Sequence, residues 1–177
     1  PVKSKERLFK NKYKNYLNKK NKIFLTVHRR ENFKLNLKKI IKTILKLSNQ
    51  NINFFIPVHP NPNIKKEILK NLKNKNNIFL SKPISFDEGI FLMKNSDVIL
   101  SDSGGIQEEV TVLKKKILIL RNTTERPDVL KNFGKLVGSD SNKISKNILY
   151  LLKRKNNLHK ISSPFGKIGV AKKILKI

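Results

Sequence analysis

The stretch DVILSDSGGIQEE, residues 97–109, decides the fold class of this chain. Its apolar run Val98–Leu100 predicts a short buried strand, and the residues from Ile106 to Leu113 predict a helix. Between them, Gly104-Gly105 predict a turn in which no Cβ keeps a ligand away from the backbone. A strand that leads through such a turn into a helix presents the free N–H groups of the first helical turn to an anion.

The polar side chains of this stretch have local roles to fill. Asp102 or Ser103 caps the helix, because both residue types accept backbone hydrogen bonds at a helix start. Glu109 lies about one turn into the helix and is expected to face the same pocket. A carboxylate repels a phosphate, so neutral hydroxyl donors such as those of a ribose are its better partners. A plain capping turn without a ligand is the alternative interpretation.

The composition restricts the class of protein. The chain has 177 residues, of which 38% are hydrophobic, and this is enough for one domain with a buried core. It contains no cysteine, which excludes a disulfide framework, a thiolate metal site and a cysteine nucleophile. No apolar run approaches the roughly 18 residues of a membrane span, and no signal-peptide pattern is present, so we expect a cytoplasmic location without membrane contact. Because the first residue is Pro1, a piece of a longer protein is expected.

The formal net charge of +28 raises the question of a nucleic-acid partner. Lysine supplies 34 of the 40 basic residues and occurs together with asparagine and isoleucine, the residues of A/T-rich codons. This pattern favours a composition bias on a solvated surface, because nucleic-acid readers use arginine and aromatic side chains for base contacts. Against this background, four of the six arginines lie in short polar loops, where their planar guanidinium suits anions: Arg29, Arg30, Arg121 and Arg126.

Apolar strands alternate with helices along the rest of the chain. Strands are predicted near residues 23–27, 52–58, 78–80, 98–100, 116–120 and 134–138, and helices near 35–47, 64–72, 90–93, 106–113, 127–130, 139–155 and 168–177. Ser85 or Asp87 is expected to cap the third of these helices, and Pro127 suits the first turn of the short one. The alternation predicts an α/β fold with a doubly wound parallel sheet over residues 21–177. Residues 1–20 are either a basic linker or a helix that leads into this domain.

Polar loops follow the predicted strands at residues 28–33, 59–63, 101–105 and 121–126. In a parallel sheet the carboxyl ends of the strands share one edge, where ligands bind, so we expect these loops to line a single rim. The loop at 59–63 is expected to be rigid and non-helical because of its prolines. His28 is either a ligand residue or a hydrogen-bonding residue that ends its strand, whereas His159 is expected on the surface.

These loops carry four motifs that resemble the non-hydrolysing UDP-N-acetylglucosamine 2-epimerases of bacteria. The motifs are HRRENF at 28–33, PVHPNP at 57–62, SDSGGIQEE at 101–109 and RNTTERP at 121–127, and they occur in the order and spacing of that family. The resemblance covers nearly the whole chain and implies the C-terminal, Rossmann-like domain of a two-domain GT-B fold. In the family, a UDP-sugar binds between the two halves.

The resemblance also implies a reaction. UDP-GlcNAc is converted to UDP-ManNAc, a precursor of cell-envelope polysaccharide, by removal of the C2 proton with elimination of UDP, followed by re-addition on the other face. The acid–base carboxylates belong to the N-terminal half, so this chain alone is expected to be inactive. No nicotinamide or metal cofactor is expected, and the implied partners are the UDP-sugar and a second copy in a homodimer whose N-terminal halves are not in this chain.

Site residues follow from the resemblance one by one. Ser103, Gly104 and Gly105 are implied to hold the diphosphate, and Glu109 the ribose hydroxyls. The catalytic candidate is His28, implied to lie beside the diphosphate and to assist the departure of UDP. The remaining binding candidates are Phe86 near the uracil, Arg29 and His59 in a second, regulatory UDP-sugar site, and Arg121 and Arg126 on the phosphate rim.

The chain departs from the family pattern at two places. Gly89 stands where the family usually has an aromatic ring, which predicts weaker packing on the uracil. Gly166-Lys167-Ile168 replaces the usual Gly-Asp-Gly, so an acidic turn has become basic. Two other functions remain open: the C-terminal domain of a UDP-sugar glycosyltransferase, and a decayed, non-catalytic domain that binds UDP or a polyanion.

Overall fold

The structure is a computed structural model, and it describes residues 2–33, 35–154 and 156–166. Its strands form one sheet, in which every pair of neighbours is parallel and the order is β3-β2-β1-β4-β5-β6. The strands are β1 (Lys22–Thr26), β2 (Asn53–Pro57), β3 (Ile78–Ser81), β4 (Val98–Ser101), β5 (Ile117–Ile119) and β6 (Gly134–Leu136). The order changes direction between β1 and β4, which is the switch point of a doubly wound sheet. The predicted fold class is therefore confirmed.

Helices connect the strands and cover both faces of the sheet. They are α1 (Val2–Lys12), α2 (Lys14–Leu17), α3 (Leu35–Ser48), α4 (Pro62–Leu72), α5 (Phe86–Lys94), α6 (Gly104–Val112), α7 (Val129–Asn132) and α8 (Ser141–Leu152). None of the helices in the described ranges is long and apolar enough to cross a membrane. The helix predicted at residues 168–177, and the altered turn from residue 167 onward, lie outside the described residues.

Two buried layers lie on opposite faces of the sheet, because successive side chains of a strand point in opposite directions. In β1, Ile23 and Leu25 belong to the layer formed with α3, α4 and α8. Phe24 belongs to the other layer, formed with α2, α5, α6 and α7. Both faces of the central strands are therefore covered, which explains why they read as continuous apolar runs in the sequence.

The N-terminal segment packs on the second of these layers. The Tyr13 and Tyr16 rings each lie 5.3 Å from the Phe55 ring of β2, and the Phe9 ring lies 5.5 Å from that of Phe91 in α5. Residues 2–12 and 14–17 are thus helical and pack against the domain.

Polar contacts also join α1 to the start of α5. Lys12 donates to Glu88 at 2.6 Å and Lys5 donates to Asp87 at 2.8 Å. The Tyr13 hydroxyl donates to the same Glu88 carboxylate at 2.6 Å. These bonds fix α1 to the helix whose first residues reach the functional site.

Several predicted helix ends are wrong, and each error has a local cause. Gly104 and Gly105 form the first turn of α6 instead of a turn before it, because Ser103 already serves as the N-cap. Pro62 is helical in α4, since a proline at the first helical position lacks only an N–H that has no helical partner. The short helix α7 begins at Val129, after Pro127. At α5, Ser85 is the cap, and it forms a capping box with Glu88.

Candidate functional site

A pocket of about 310 Å³ opens at the carboxyl ends of β1 and β2, and we call it the strand-end pocket. Its polar lining consists of Thr26, His28, His59 and Glu109. The rest of its wall is apolar apart from backbone: Phe24, Val27, Pro57, Val58, Pro60, Pro83, Ile84, Phe86, Gly89, Met93 and Ile106. A mostly apolar cavity with few convergent polar groups is the usual character of a small-molecule site.

His28 is held at this pocket by a buried carboxylate. Oδ1 of Asp102 lies 2.5 Å from Nδ1 of His28, and Asp102 is fully buried at the end of β4. The same carboxylate accepts the backbone N–H groups of His28, at 3.2 Å, and Arg29, at 2.9 Å. Asp102 is therefore not a helix cap. It anchors the loop after β1 to the end of the neighbouring strand β4.

Asn32 completes the surroundings of this carboxylate. Its Nδ2 donates to Oδ2 of Asp102 and to the carbonyl of Leu120, both at 2.9 Å. Burial alone would raise the pKa of Asp102, but the hydrogen bonds from His28, Asn32 and the Arg29 backbone outweigh it and lower that pKa below its ordinary value. The carboxylate is thus ionised and acts only as an acceptor.

The start of α6, with Ser103 as its N-cap, follows Asp102 directly and has the geometry of a capped helix N-terminus. The Ser103 hydroxyl accepts the N–H of Ile106 at 3.4 Å and so caps the helix. A Cβ on Gly104 would lie 3.9 Å from Nη2 of Arg29, and one on Gly105 would lie 3.8 Å from Oε1 of Glu109. The two glycines therefore separate a guanidinium from a carboxylate, with free helical N–H groups between them.

Glu109 projects from α6 into the strand-end pocket, as the sequence predicts. Burial raises the pKa of Glu109, and the nearby carboxylate of Glu108 raises it further. A half-buried carboxylate of this kind gains from hydroxyl donors, which replace the water it has lost.

The arginines of the loop after β5 are held by carboxylates outside this pocket. Arg121 pairs with Glu125, and Arg126 pairs with Glu108, in contacts between guanidinium nitrogens and carboxylate oxygens. Hydrogen bonding from Arg121 is the main cause that lowers the pKa of Glu125 to about 2. The structure thus places both candidates on the rim, next to α6, and not in the pocket wall.

The remaining predicted residues lie in the pocket wall. His59 accepts the N–H of Asn61 at 3.1 Å through Nδ1, and its ring centroid lies 6.4 Å from that of His28. The structure therefore places His59 in the same pocket as His28. Phe86 is 69% exposed at the mouth, and Gly89 faces the same cavity one turn further along α5.

Gln107 and Thr124 support the site from behind and were not among the predicted site residues. Gln107 is fully buried, donates to the carbonyl of Ser103 at 3.2 Å and accepts the hydroxyl of Thr124 at 2.5 Å. It ties the first turn of α6 to the loop after β5. In the sequence, the position of the polar Gln107 on the inner face of a short helix could have indicated this role.

The fold and the site together define a Rossmann-like α/β domain with a capped, glycine-containing helix start at the switch point of its sheet, the class to which nucleotide-binding domains belong. Comparison with known proteins agrees with this class. A family model described as UDP-N-acetylglucosamine 2-epimerase matches residues 2–177. The chain belongs to the UDP-N-acetylglucosamine 2-epimerase family.

Individual relatives show how much of the family architecture is covered. A UDP-N-acetylglucosamine 2-epimerase of Neisseria meningitidis is 42% identical over 159 residues, which cover 86% of this chain and 42% of the relative. A UDP-N-acetylglucosamine 2-epimerase of Campylobacter jejuni is 39% identical over 173 residues, which cover 94% of this chain and 45% of the relative. The crystal structure of the Neisseria meningitidis enzyme bound to UDP-GlcNAc superposes with a TM-score of 0.88 at 34% identity, covering 98% of this chain and 48% of that one.

The chain therefore spans about half the length of the curated relatives that it matches. It corresponds to their C-terminal half, which is the Rossmann-like domain of the GT-B fold predicted from the motifs.

Proposed function

We propose that this chain supplies the UDP-binding half of an enzyme that interconverts UDP-GlcNAc and UDP-ManNAc. The observation that carries the proposal is one pocket lined by His28, Glu109 and Ile106 of the first turn of α6, in a chain of the epimerase family. A related structure of that family is a complex with UDP-GlcNAc.

Each part of a UDP group has a complementary feature at the site. The N–H groups at the start of α6, capped by Ser103 and open at Gly104 and Gly105, suit the diphosphate. Glu109 is placed to accept the ribose hydroxyls, and the apolar wall near Phe86 suits the uracil. Arg29 adds a positive charge beside Gly104.

The chemistry at C2 needs an acid–base pair within hydrogen-bond reach of that carbon. In our assignment Glu109 is occupied by the ribose, and His28 lies beside the diphosphate, where a protonated imidazole stabilises the negative charge of departing UDP. The family resemblance implies that the carboxylates that exchange the C2 proton come from a second half, contributed by an N-terminal domain. We expect the whole protein to be a cytoplasmic homodimer and this chain alone to be inactive.

Calorimetric titration of the chain with UDP tests the nucleotide site directly. We expect saturable one-to-one binding that changes little between about 50 mM and about 300 mM salt, because backbone N–H groups and Glu109 provide most contacts. Binding to a polyanion through the surface lysines would instead weaken steeply over this range. No binding, or binding that disappears at the higher salt concentration, would contradict the proposal, and CDP is the control for base selectivity.

A chimera tests the activity. The N-terminal half of the Neisseria meningitidis relative, joined to this chain, is expected to convert UDP-GlcNAc to UDP-ManNAc, with incorporation of solvent deuterium at C2. The matched control carries His28→Gln and is expected to bind UDP but to turn over more slowly. A folded chimera that transfers the sugar to an acceptor without epimerisation would favour a glycosyltransferase.

A further inference from the structure

The contacts of Asp102 determine which nitrogen of His28 carries its proton. The buried, ionised carboxylate lies 2.5 Å from Nδ1 of His28 and can only accept a hydrogen bond. When the imidazole is neutral, its single proton is therefore on Nδ1 and Nε2 has the free lone pair. Within the described residues, no protein group bonds to Nε2, and His28 lines the strand-end pocket with 39% of its side chain exposed.

His59 has the opposite arrangement. The backbone N–H of Asn61 donates to its Nδ1 at 3.1 Å, so that nitrogen has the lone pair and Nε2 carries the proton. The centroids of the His28 and His59 rings are 6.4 Å apart in the same pocket. The hydrogen-bond geometry therefore assigns different tautomers to the neutral forms of the two rings.

We propose that Asp102 is a positioning residue that holds neutral His28 as the Nδ1–H tautomer, and that a nucleoside diphosphate binds with uptake of one proton at Nε2 of His28. The second part rests on the proposed function, since it requires UDP to bind beside His28. The proton comes from solvent and adds to the Nε2 lone pair, while Asp102 stays ionised and stabilises the resulting imidazolium.

Electrostatics makes this proton uptake necessary. A bare Nε2 lone pair and a diphosphate oxygen are both acceptors, so they repel each other until a proton lies between them. Asp102 contacts the ring of His28, Glu109 and His59 line the same pocket, and the guanidinium of Arg29 lies next to Gly104 at the start of α6. Arg29 disfavours a second positive charge, whereas Asp102 and the bound diphosphate favour it. After proton uptake, His28 has a donor where the departing diphosphate needs one.

The substitution Asp102→Asn inverts the tautomer, for a geometric reason. Oδ2 of Asp102 accepts from the backbone of Arg29 and from Asn32, so an asparagine must place its single oxygen there. Its NH₂ group then faces Nδ1 of His28, which must become an acceptor and shift the proton to Nε2. The variant therefore presents a neutral donor to the diphosphate and needs no proton uptake.

The tautomers are measurable by long-range ¹H–¹⁵N NMR of the free chain. The sequence contains three histidines, so His28→Gln and His59→Gln are enough to assign the ring signals. Above the midpoint of each ring's own titration, we expect His28 as the Nδ1–H form and His59 as the Nε2–H form. In Asp102→Asn, the two nitrogen shifts of His28 should interchange, while those of His59 stay as in the wild type. An Nε2–H form of His28 in the wild-type spectrum overturns the proposal, even if the variant does not fold.

The pH dependence of UDP affinity tests the proton uptake. Above about pH 7.5, where UDP itself is ionised, uptake of a proton on binding makes the affinity of the wild-type chain fall as pH rises, by at most about tenfold per pH unit. The affinity of Asp102→Asn should be nearly independent of pH in this range, and equal slopes for the two proteins overturn this part. If UDP does not bind at all, the proposed function fails and the proton uptake fails with it, while the NMR spectrum still decides the tautomer.

Discussion

Arg29 follows β1 and Glu125 follows β5, the two strands on either side of β4 in the sheet. Nη1 of Arg29 nevertheless lies 3.7 Å from Oε1 of Glu125. Glu125 also pairs with Arg121, so two guanidiniums share one carboxylate, and that of Arg29 lies next to the start of α6. This carboxylate competes with any phosphate for the guanidinium of Arg29.

Glu125→Gln is therefore expected to strengthen UDP binding. The variant removes a negative charge from the rim, and we expect affinity to increase about two- to fivefold at low salt, with a smaller gain at high salt. Calorimetry at two salt concentrations measures this. Glu6→Gln, which removes the same charge from α1, is the matched control. Weaker binding by Glu125→Gln would mean that its main role is to orient Arg29.

Ser103→Ala removes the cap of α6 and, in the proposed complex, one contact to the diphosphate. We expect a loss of about 1 kcal/mol in UDP binding, or about fivefold in affinity, and a loss of about 1 kcal/mol in stability. Asp140→Ala removes the side-chain cap of α8, outside the pocket, and is the control for stability. Equal UDP affinity in the wild type and Ser103→Ala would show that Ser103 does not contact the diphosphate.

Glu109→Gln tests the ribose contact without changing the size of the side chain. Hydrogen bonds to a charged group contribute about 1.5–3 kcal/mol, so the variant should lose about tenfold or more in UDP affinity. The sharper readout uses 2′-deoxy-UDP and 3′-deoxy-UDP. Wild type should discriminate against at least one of them, and the variant should lose that discrimination. Unchanged discrimination would show that another group binds the ribose.

Gly89→Phe tests the missing aromatic ring in the pocket wall. An added Cβ at Gly89 would meet only Ile84, at 3.9 Å, so a side chain fits here. We expect Gly89→Ala to stabilise the domain by about 0.5–1 kcal/mol, because glycine is unfavourable inside a helix. The phenylalanine should add several-fold tighter UDP binding through packing on the uracil. If the Gly89→Ala and Gly89→Phe variants bind UDP equally well, the uracil does not lie at this wall.

Glu88→Gln tests the attachment of α1 to α5. Burial alone would raise the pKa of Glu88, but hydrogen bonds from Lys12, Tyr13 and Ser85 lower it to about 2. Its stabilising effect is therefore complete above the unfolded pKa and is lost as pH falls from about 4.5 towards 2. In urea unfolding, the variant should lose about 1–3 kcal/mol at neutral pH and show a smaller further decrease in acid. Glu67→Gln on α4 should behave like wild type, and an equally steep acid decrease in Glu88→Gln would contradict this assignment.

The sheet could be predicted from the sequence because its central strands are buried on both faces. Val98–Leu100 is apolar throughout, and such runs separated by helices leave few alternatives to a parallel sheet. The rim of loops follows from that topology alone. Helix ends are less predictable, because a cap depends on the local backbone: Ser103 and Asp102 are chemically equivalent candidates in the sequence, but only Ser103 has the geometry.

The partner of Asp102 could not be predicted from local sequence. Its contact with His28 joins residues 74 positions apart, and it exists only because β1 and β4 are neighbours in the sheet. The packing of the N-terminal segment could have been predicted from its aromatic residues. Phe9, Tyr13 and Tyr16 recur at helical spacing and lie on one face, although the many lysines around them make the segment look polar.

Because α1 is attached to α5, one wall of the strand-end pocket is coupled to the position of α1. Phe86 and Gly89 move with α5, which is fixed to α1, whereas Asp102 is fixed to the centre of the sheet. A tilt of this helix pair would therefore move the Phe86 wall of the pocket relative to His28, which Asp102 holds in place. In the proposed UDP complex, a displacement of α1 would therefore change the packing on the uracil while His28 stays in place.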